Sequence, residues 1–182
     1  AVLPDVYAEN FSAAVDFLGT RAFVDREKIG VIGICGSGGF AIAATKVDPR
    51  IKELATVAMY DMGEYFRTGL NHERTPEMRN KDLAIAAEQR YQAFTTGKPV
   101  YGPGQKDPVF MEGKESDDFY QPERGKVASN DRRTVPATYA RFMNVHPFID
   151  VETISPRPVL FVVGDAAPSR TYTETAWKMA AE

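Results

Sequence analysis

A single cysteine, Cys35, excludes an intramolecular disulfide. So little cysteine suits a reducing compartment, and the expected location is cytoplasmic. Histidine is almost as scarce: His72 and His146 are the two among 182 residues. No His/Cys/Asp cluster shows metal-ligand spacing, so neither a metal nor any other cofactor is expected. No apolar run approaches the roughly 18 residues a spanning helix needs, and no charged-then-apolar leader opens the chain. The net charge is -3 at pH 7, which argues against nucleic acid or an anionic membrane surface as a partner. Internal repeats and low-complexity tracts are missing too. What remains is 43% hydrophobic and 26% charged residues, enough for one globular domain with a sizeable core.

The informative stretch is Lys28-Ile-Gly-Val-Ile-Gly-Ile-Cys-Gly-Ser-Gly-Gly-Phe40. Ile29 to Ile34 has the continuous apolar character of a strand buried on both faces of a parallel sheet. Phe40 to Val47 reads as a helix, stopped at Asp48-Pro49 because proline disfavours helical geometry in the residue before it. Between them the chain must turn within a few residues. A side chain at the apex of such a turn is exposed beside the first amides of the helix, as a nucleophile and its oxyanion require. The expected apex is Cys35.

The run Gly33-Ile34-Cys35-Gly36-Ser37-Gly38 resembles the nucleophile elbow of the α/β-hydrolases, in the dienelactone-hydrolase-like branch with cysteine as nucleophile. Ser37 stands where that branch usually has a second glycine. The preceding amphipathic helix and Phe23-Val-Asp-Arg-Glu-Lys28 fit the same context, so this resemblance covers residues 1–60. It implies an esterase-type hydrolase, with Gly36 N–H as one oxyanion donor.

Other readings of the turn stay open. A shift of two residues puts Ser37 at the apex. Gly36-Ser37-Gly38-Gly39-Phe40-Ala41 fits a dinucleotide-binding fingerprint, with Asp61 after the next strand as a ribose partner, although a helix precedes this strand. A plain glycine turn packing helix on strand, with Cys35 as a small buried apolar residue, is the bland alternative. A phosphate-binding P-loop is excluded, because Gly39 stands where its lysine belongs.

Along the chain, Tyr7, Phe11, Ala14 and Leu18 have helical spacing up to Gly19, and Leu54 to Met59 is a second buried strand. From Tyr60 to Thr153 the sequence turns polar, aromatic-rich and irregular. A helix entered at Thr75-Pro76-Glu77 and closed near Gly97 carries Leu83, Ala87, Tyr91 and Phe94 as its apolar face. Lys98 to Gly125 is an extended excursion, Arg132 and Arg133 a solvated pair, and further helices are expected over Pro136–Met143 and near Pro147–Val151. Val159 to Val163 is a third strand, and Thr171-x-x-Glu174 forms a capping box for a last helix.

The phrase Pro158-Val-Leu-Phe-Val-Val-Gly-Asp165 resembles the hydrolase strand whose following loop carries the catalytic acid. In the family that acid lies three residues beyond the first residue of Gly-x-x-Asp; here Ala167 occupies the place and Asp165 is the acid the loop offers. The family's histidine follows the acid, whereas His72 and His146 precede it. The expected architecture is therefore an α/β-hydrolase-like, mostly parallel sheet with flanking helices. Residues 1–59 and 154–182 form a partial core, and 60–153 a helical lid that shapes an apolar pocket. The sheet and the site read as incomplete, needing missing segments or a partner chain. The expected substrate is a small ester, thioester or lactone. A non-catalytic binding relative is the second reading, favoured by Ala167 and by the missing histidine.

Overall fold

The computed structural model describes residues 3–102, 125 and 134–180. Arg132, Arg133 and most of the Lys98–Gly125 excursion lie outside the described residues. The described chain divides into two compact units, residues 2–65 with 141–182, and residues 66–140.

The first unit is built on three parallel strands, β1 (Gly30–Ile34), β2 (Glu53–Val57) and β3 (Val159–Val162), in the order β1-β2-β3. Helix α1 (Pro4–Gly19) opens with proline at its first position and Asp5 in its first turn, both favourable at a helix N-terminus. Helix α2 (Gly36–Val47) follows β1 without a connecting loop, and its alanine- and glycine-rich face lets it lie close against β1 and β2. Val15, Ile29, Ala44 and Ile51 make the core between α1, α2 and the sheet, flanked by Phe11, Val24 and Val31. Tyr7 of α1 stacks on Phe40 of α2 with ring centroids 5.3 Å apart, and Phe142 lies 6.3 Å beyond Phe40.

Strand register divides the sheet into two unlike faces. Val31 pairs with Leu54, and Leu54 with Val159, on the face that α2 covers. Ile32 pairs with Ala55, and Ala55 with Leu160, on the opposite face, where Ile32 is 67% and Leu160 60% exposed. Ile34 and Val162 continue that open apolar face. A parallel sheet is ordinarily covered on both sides.

Arg157 ties the strand starts together. Its guanidinium donates to the carbonyls of Asp48 and Ile51 at 3.0 and 2.9 Å and to that of Ile154 at 3.2 Å. The Ser155–Pro156 peptide just before it is cis. The last helix, α6, runs Arg170–Met179, and Trp177 on it is 65% exposed. The Thr171-x-x-Glu174 capping box does not form. The helix starts two residues earlier, behind buried Ser169, and Glu174 instead binds Arg170 at 2.6 Å.

Helix α3 (Met62–Thr68) runs across one unit boundary, and α5 (Tyr139–Met143) across the other. Within residues 66–140, helix α4 (Pro76–Thr96) is capped by the Thr75 hydroxyl, which accepts from Met78 N, and it ends at left-handed Gly97. Its expected apolar face is not the buried one: Tyr91 is 73% and Phe94 92% exposed, while Ala86 is buried. Leu83 of the expected face is half-buried, and the helix is turned so that Arg79, Asp82, Ala86, Gln89 and Ala93 are its other enclosed positions, with Asp82 paired to Arg74. Phe66 packs on Tyr139 with centroids 5.2 Å apart. Among the described residues, no helix is long and apolar enough to cross a membrane.

Candidate active site at the end of strand β1

Cys35 joins β1 to α2 with φ 58° and ψ -131°, a backbone region that costs a non-glycine residue on the order of 1–3 kcal/mol. The strain is held by hydrogen bonds on both sides. Cys35 N donates to Val57 O at 3.0 Å, and Cys35 O accepts from Gly38 N at 3.0 Å and Tyr60 N at 3.1 Å. The residue is exposed at the C-terminal end of the sheet. Gly36, the first residue of α2, belongs to the turn whose N–H groups have no intrahelical acceptor.

Ser37 is placed differently. It has helical geometry within the first turn of α2, and its hydroxyl donates to Ile34 O at 2.6 Å while accepting from Ile34 N at 3.0 Å. Both Ile34 groups point away from β2, because the neighbouring Cys35 N is the one that reaches Val57. The serine hydroxyl thus takes the place of a ladder partner at the outer edge of β1.

The glycines explain how tightly the turn is packed. A Cβ on Gly38 would lie 2.3 Å from Met59 Cβ, and one on Gly33 would lie 2.7 Å from Gly38 Cα. A Cβ on Gly39 would lie 2.7 Å from Tyr60 O and 3.5 Å from Pro147. These surfaces face protein.

Asp165 stands beyond β3 and is exposed, its carboxylate accepting from Ala166 N at 2.9 Å and its carbonyl from Arg170 at 3.0 Å. Asp61 stands beyond β2 and is 4% exposed, its carboxylate accepting from Glu64 N at 2.8 Å. The sequence signal for Asp61 was its place one strand past the elbow. His146 is exposed beside fully buried Pro147, in the unit that contains Cys35. His72 is exposed with φ 57° and belongs to the other unit. Among the described residues, no group of three His, Cys, Asp or Glu side chains forms a metal cage.

No protein-family model matches the chain. It is 38% identical over 188 aligned residues to the uncharacterised protein PA2218 of Pseudomonas aeruginosa, an alignment covering 98% of this chain and 50% of the relative. The thiohydrolase aneE of Aspergillus aculeatus is 24% identical over 165 residues, covering 88% of this chain and 52% of that protein. The crystal structure of PA2218 superposes with a TM-score of 0.90 at 37% identity, over 100% of this chain and 58% of that one. The α/β hydrolase GrgF from Penicillium sp. sh18 superposes with a TM-score of 0.83 at 19% identity, over 100% of this chain and 61% of that one. The chain spans about half the length of the curated relatives it matches across most of its residues. A parallel sheet with flanking helices, a strained residue between β1 and α2, and these superpositions agree: the fold is that of the α/β-hydrolases.

Proposed function

We propose that the chain contributes to a hydrolase or acyltransferase that cleaves an ester, thioester or lactone through a covalent acyl-Cys35 intermediate. The observation that carries this reading is the positive φ of Cys35, exposed where β1 meets the N-terminus of α2. The thiohydrolase name of aneE favours the thioester among the three substrates.

In the proposed reaction, the Cys35 thiolate attacks the carbonyl carbon while the Gly36 amide donates to the developing oxyanion. One such donor is worth about 3 kcal/mol in a preorganised site. The intermediate collapses with loss of an alkoxide or thiolate, which takes a proton from the base that had activated Cys35. Water, deprotonated by the same base, then attacks the acyl-cysteine and releases the acid. Cys35 is favoured over Ser37 as the nucleophile because the Ser37 hydroxyl is committed in both directions to Ile34. The dinucleotide reading is weakened by the close approach of Gly38 and Gly39 to Met59 and Tyr60. Of the acids at this end of the sheet, the strand's sequence register points to Asp165.

The second reading, a non-catalytic relative, is favoured by Ala167 in the Gly-x-x-Asp place. Mass spectrometry after brief exposure to iodoacetamide near neutral pH separates the two. The hydrolase reading expects Cys35 to alkylate much faster than free cysteine. Labelling at the rate of free cysteine sinks it.

A further inference from the structure

We propose that Met62 decides which acyl groups reach Cys35, by limiting branching at the carbon next to the reacting carbonyl. The inference rests on the reading of Cys35 as nucleophile and deepens it by naming the substrate class, thioesters or esters whose acyl chain is unbranched beside the carbonyl.

Where the substrate must lie follows from the chemistry. An oxyanion held by Gly36 sits about 3 Å from its amide nitrogen, with the carbonyl carbon between that oxygen and the Cys35 sulfur. The substituents of that carbon therefore lie about the first turn of α2. Met62 borders the same turn. Its Sδ is 3.1 Å and its Cγ 3.4 Å from where a Cβ on Gly36 would stand. Two covalent bonds separate that point from the Gly36 nitrogen, so Sδ lies within about 6 Å of the oxyanion donor. A second substituent on the acyl carbon competes with the thioether for this space.

Two methionines flank the turn, and their burial separates them. Met59 is 0% exposed and packs on Gly38, filling the contact beneath α2. Met62 is half-buried, so part of its side chain packs on Gly36 and part is left for a ligand to meet. Its backbone is fastened to the elbow. Tyr60 N donates to Cys35 O at 3.1 Å, and the Asp61 carboxylate accepts from Glu64 N at 2.8 Å, which fixes the first turn of α3 where Met62 stands. A wall held in this way does not withdraw from a branched group, while its unbranched side chain still adapts to a straight one.

Packing alone predicts something else. A methionine that only fills space beside Gly36 would, once shortened, slow all acyl groups alike.

The test measures acylation of Cys35 by the 4-nitrothiophenyl thioesters of butyrate and isobutyrate, isomers of equal composition, in the protein as its gene encodes it. Released nitrothiophenolate gives the rate, mass spectrometry locates the acyl group on Cys35, and each rate is divided by that of free cysteine with the same thioester. Thermal unfolding is followed in parallel. Wild type is expected to favour butyryl at least tenfold, Met62→Ala to cut that preference at least fivefold, and Met62→Phe to raise it at least twofold. A wild type without the preference overturns the inference, and so does a folded Met62→Ala that keeps it in full. Should Met62→Ala not fold, a preference unchanged in Met62→Phe overturns it. In each of these outcomes a thiol that iodoacetamide still labels much faster than free cysteine leaves the nucleophile standing. A wild-type Cys35 that neither thioester acylates and that iodoacetamide labels no faster than free cysteine overturns the inference together with the reading beneath it.

Discussion

The hydroxyl of Ser37 closes a two-way hydrogen-bonded bridge with the backbone of Ile34, donating at 2.6 Å and accepting at 3.0 Å. It reaches back across the elbow and stands in for a strand partner. Replacing Ser37 with alanine should therefore cost stability, about 1 kcal/mol for the pair of bonds at a partly exposed site. It should leave the rate of Cys35 alkylation within a few fold of wild type. Acylation by a thioester that is lost in a Ser37→Ala protein of unchanged melting temperature and kept in Cys35→Ala would return the nucleophile to Ser37.

Gly38 is the least replaceable residue of the turn. An alanine there places its Cβ 2.3 Å from Met59 Cβ, so α2 must lift from the segment that follows β2. Overpacking of this kind costs about 1–3 kcal/mol or more. Gly97, whose Cβ position has nothing within 4 Å, is the natural comparison, although its φ of 67° carries a strain of its own. Urea unfolding should show Gly38→Ala to be the more damaging of the two.

Acid sensitivity should come in part from Asp48. The Arg50 side chain hydrogen-bonded to it holds its pKa at about 2, against an ordinary 3.8, despite burial pulling the other way. The folded value is the lower one, so the unfolded chain takes up this proton first. The stabilisation is full above about pH 4 and fades as the pH falls towards 2. Asp48→Asn should flatten the pH dependence of the melting temperature in that window, with little effect on its slope near neutrality.

Arg157 holds three backbone carbonyls, those of Asp48, Ile51 and Ile154. Methionine keeps much of its length without the donors and leaves the acceptors stranded. The expected loss is about 2–4 kcal/mol, read as a fall in melting temperature of several degrees. An Arg157→Met protein as stable as wild type would mean that these bonds are replaced by water at no cost.

The elbow was legible in the sequence because its chemistry is local: an apolar run, then small residues, then an alanine-rich helix. Strand limits came within a few residues for β1 and β2, and α2 begins at Gly36 instead of Phe40 because Gly38 and Gly39 pack as helix against Met59 and Tyr60, just past β2. The face of α4 was not legible. Tyr91 and Phe94 share a helical period, yet the enclosed side follows the Arg74–Asp82 pair, a contact that periodicity does not encode. The Thr171 capping box failed for a similar reason, since Arg170 competes for Glu174. Asp61 drew notice for its spacing alone. Its burial and the contacts of Tyr60 and Met62 with the elbow depend on β2 and β1 lying side by side, and no motif of one segment reports that.

Ile32, Ile34, Leu160 and Val162 lie open on one side of the sheet. Apolar surface that water already wets in the native state adds nothing to the heat absorbed as the chain opens. Residues 1–182 studied alone should therefore unfold with a calorimetric ΔCp below the usual value of about 12–15 cal/mol/K per residue. The dome of stability against temperature should be correspondingly flat, and the cold limb of that curve should lie further from the hot one than in a domain of this length whose sheet is covered on both sides.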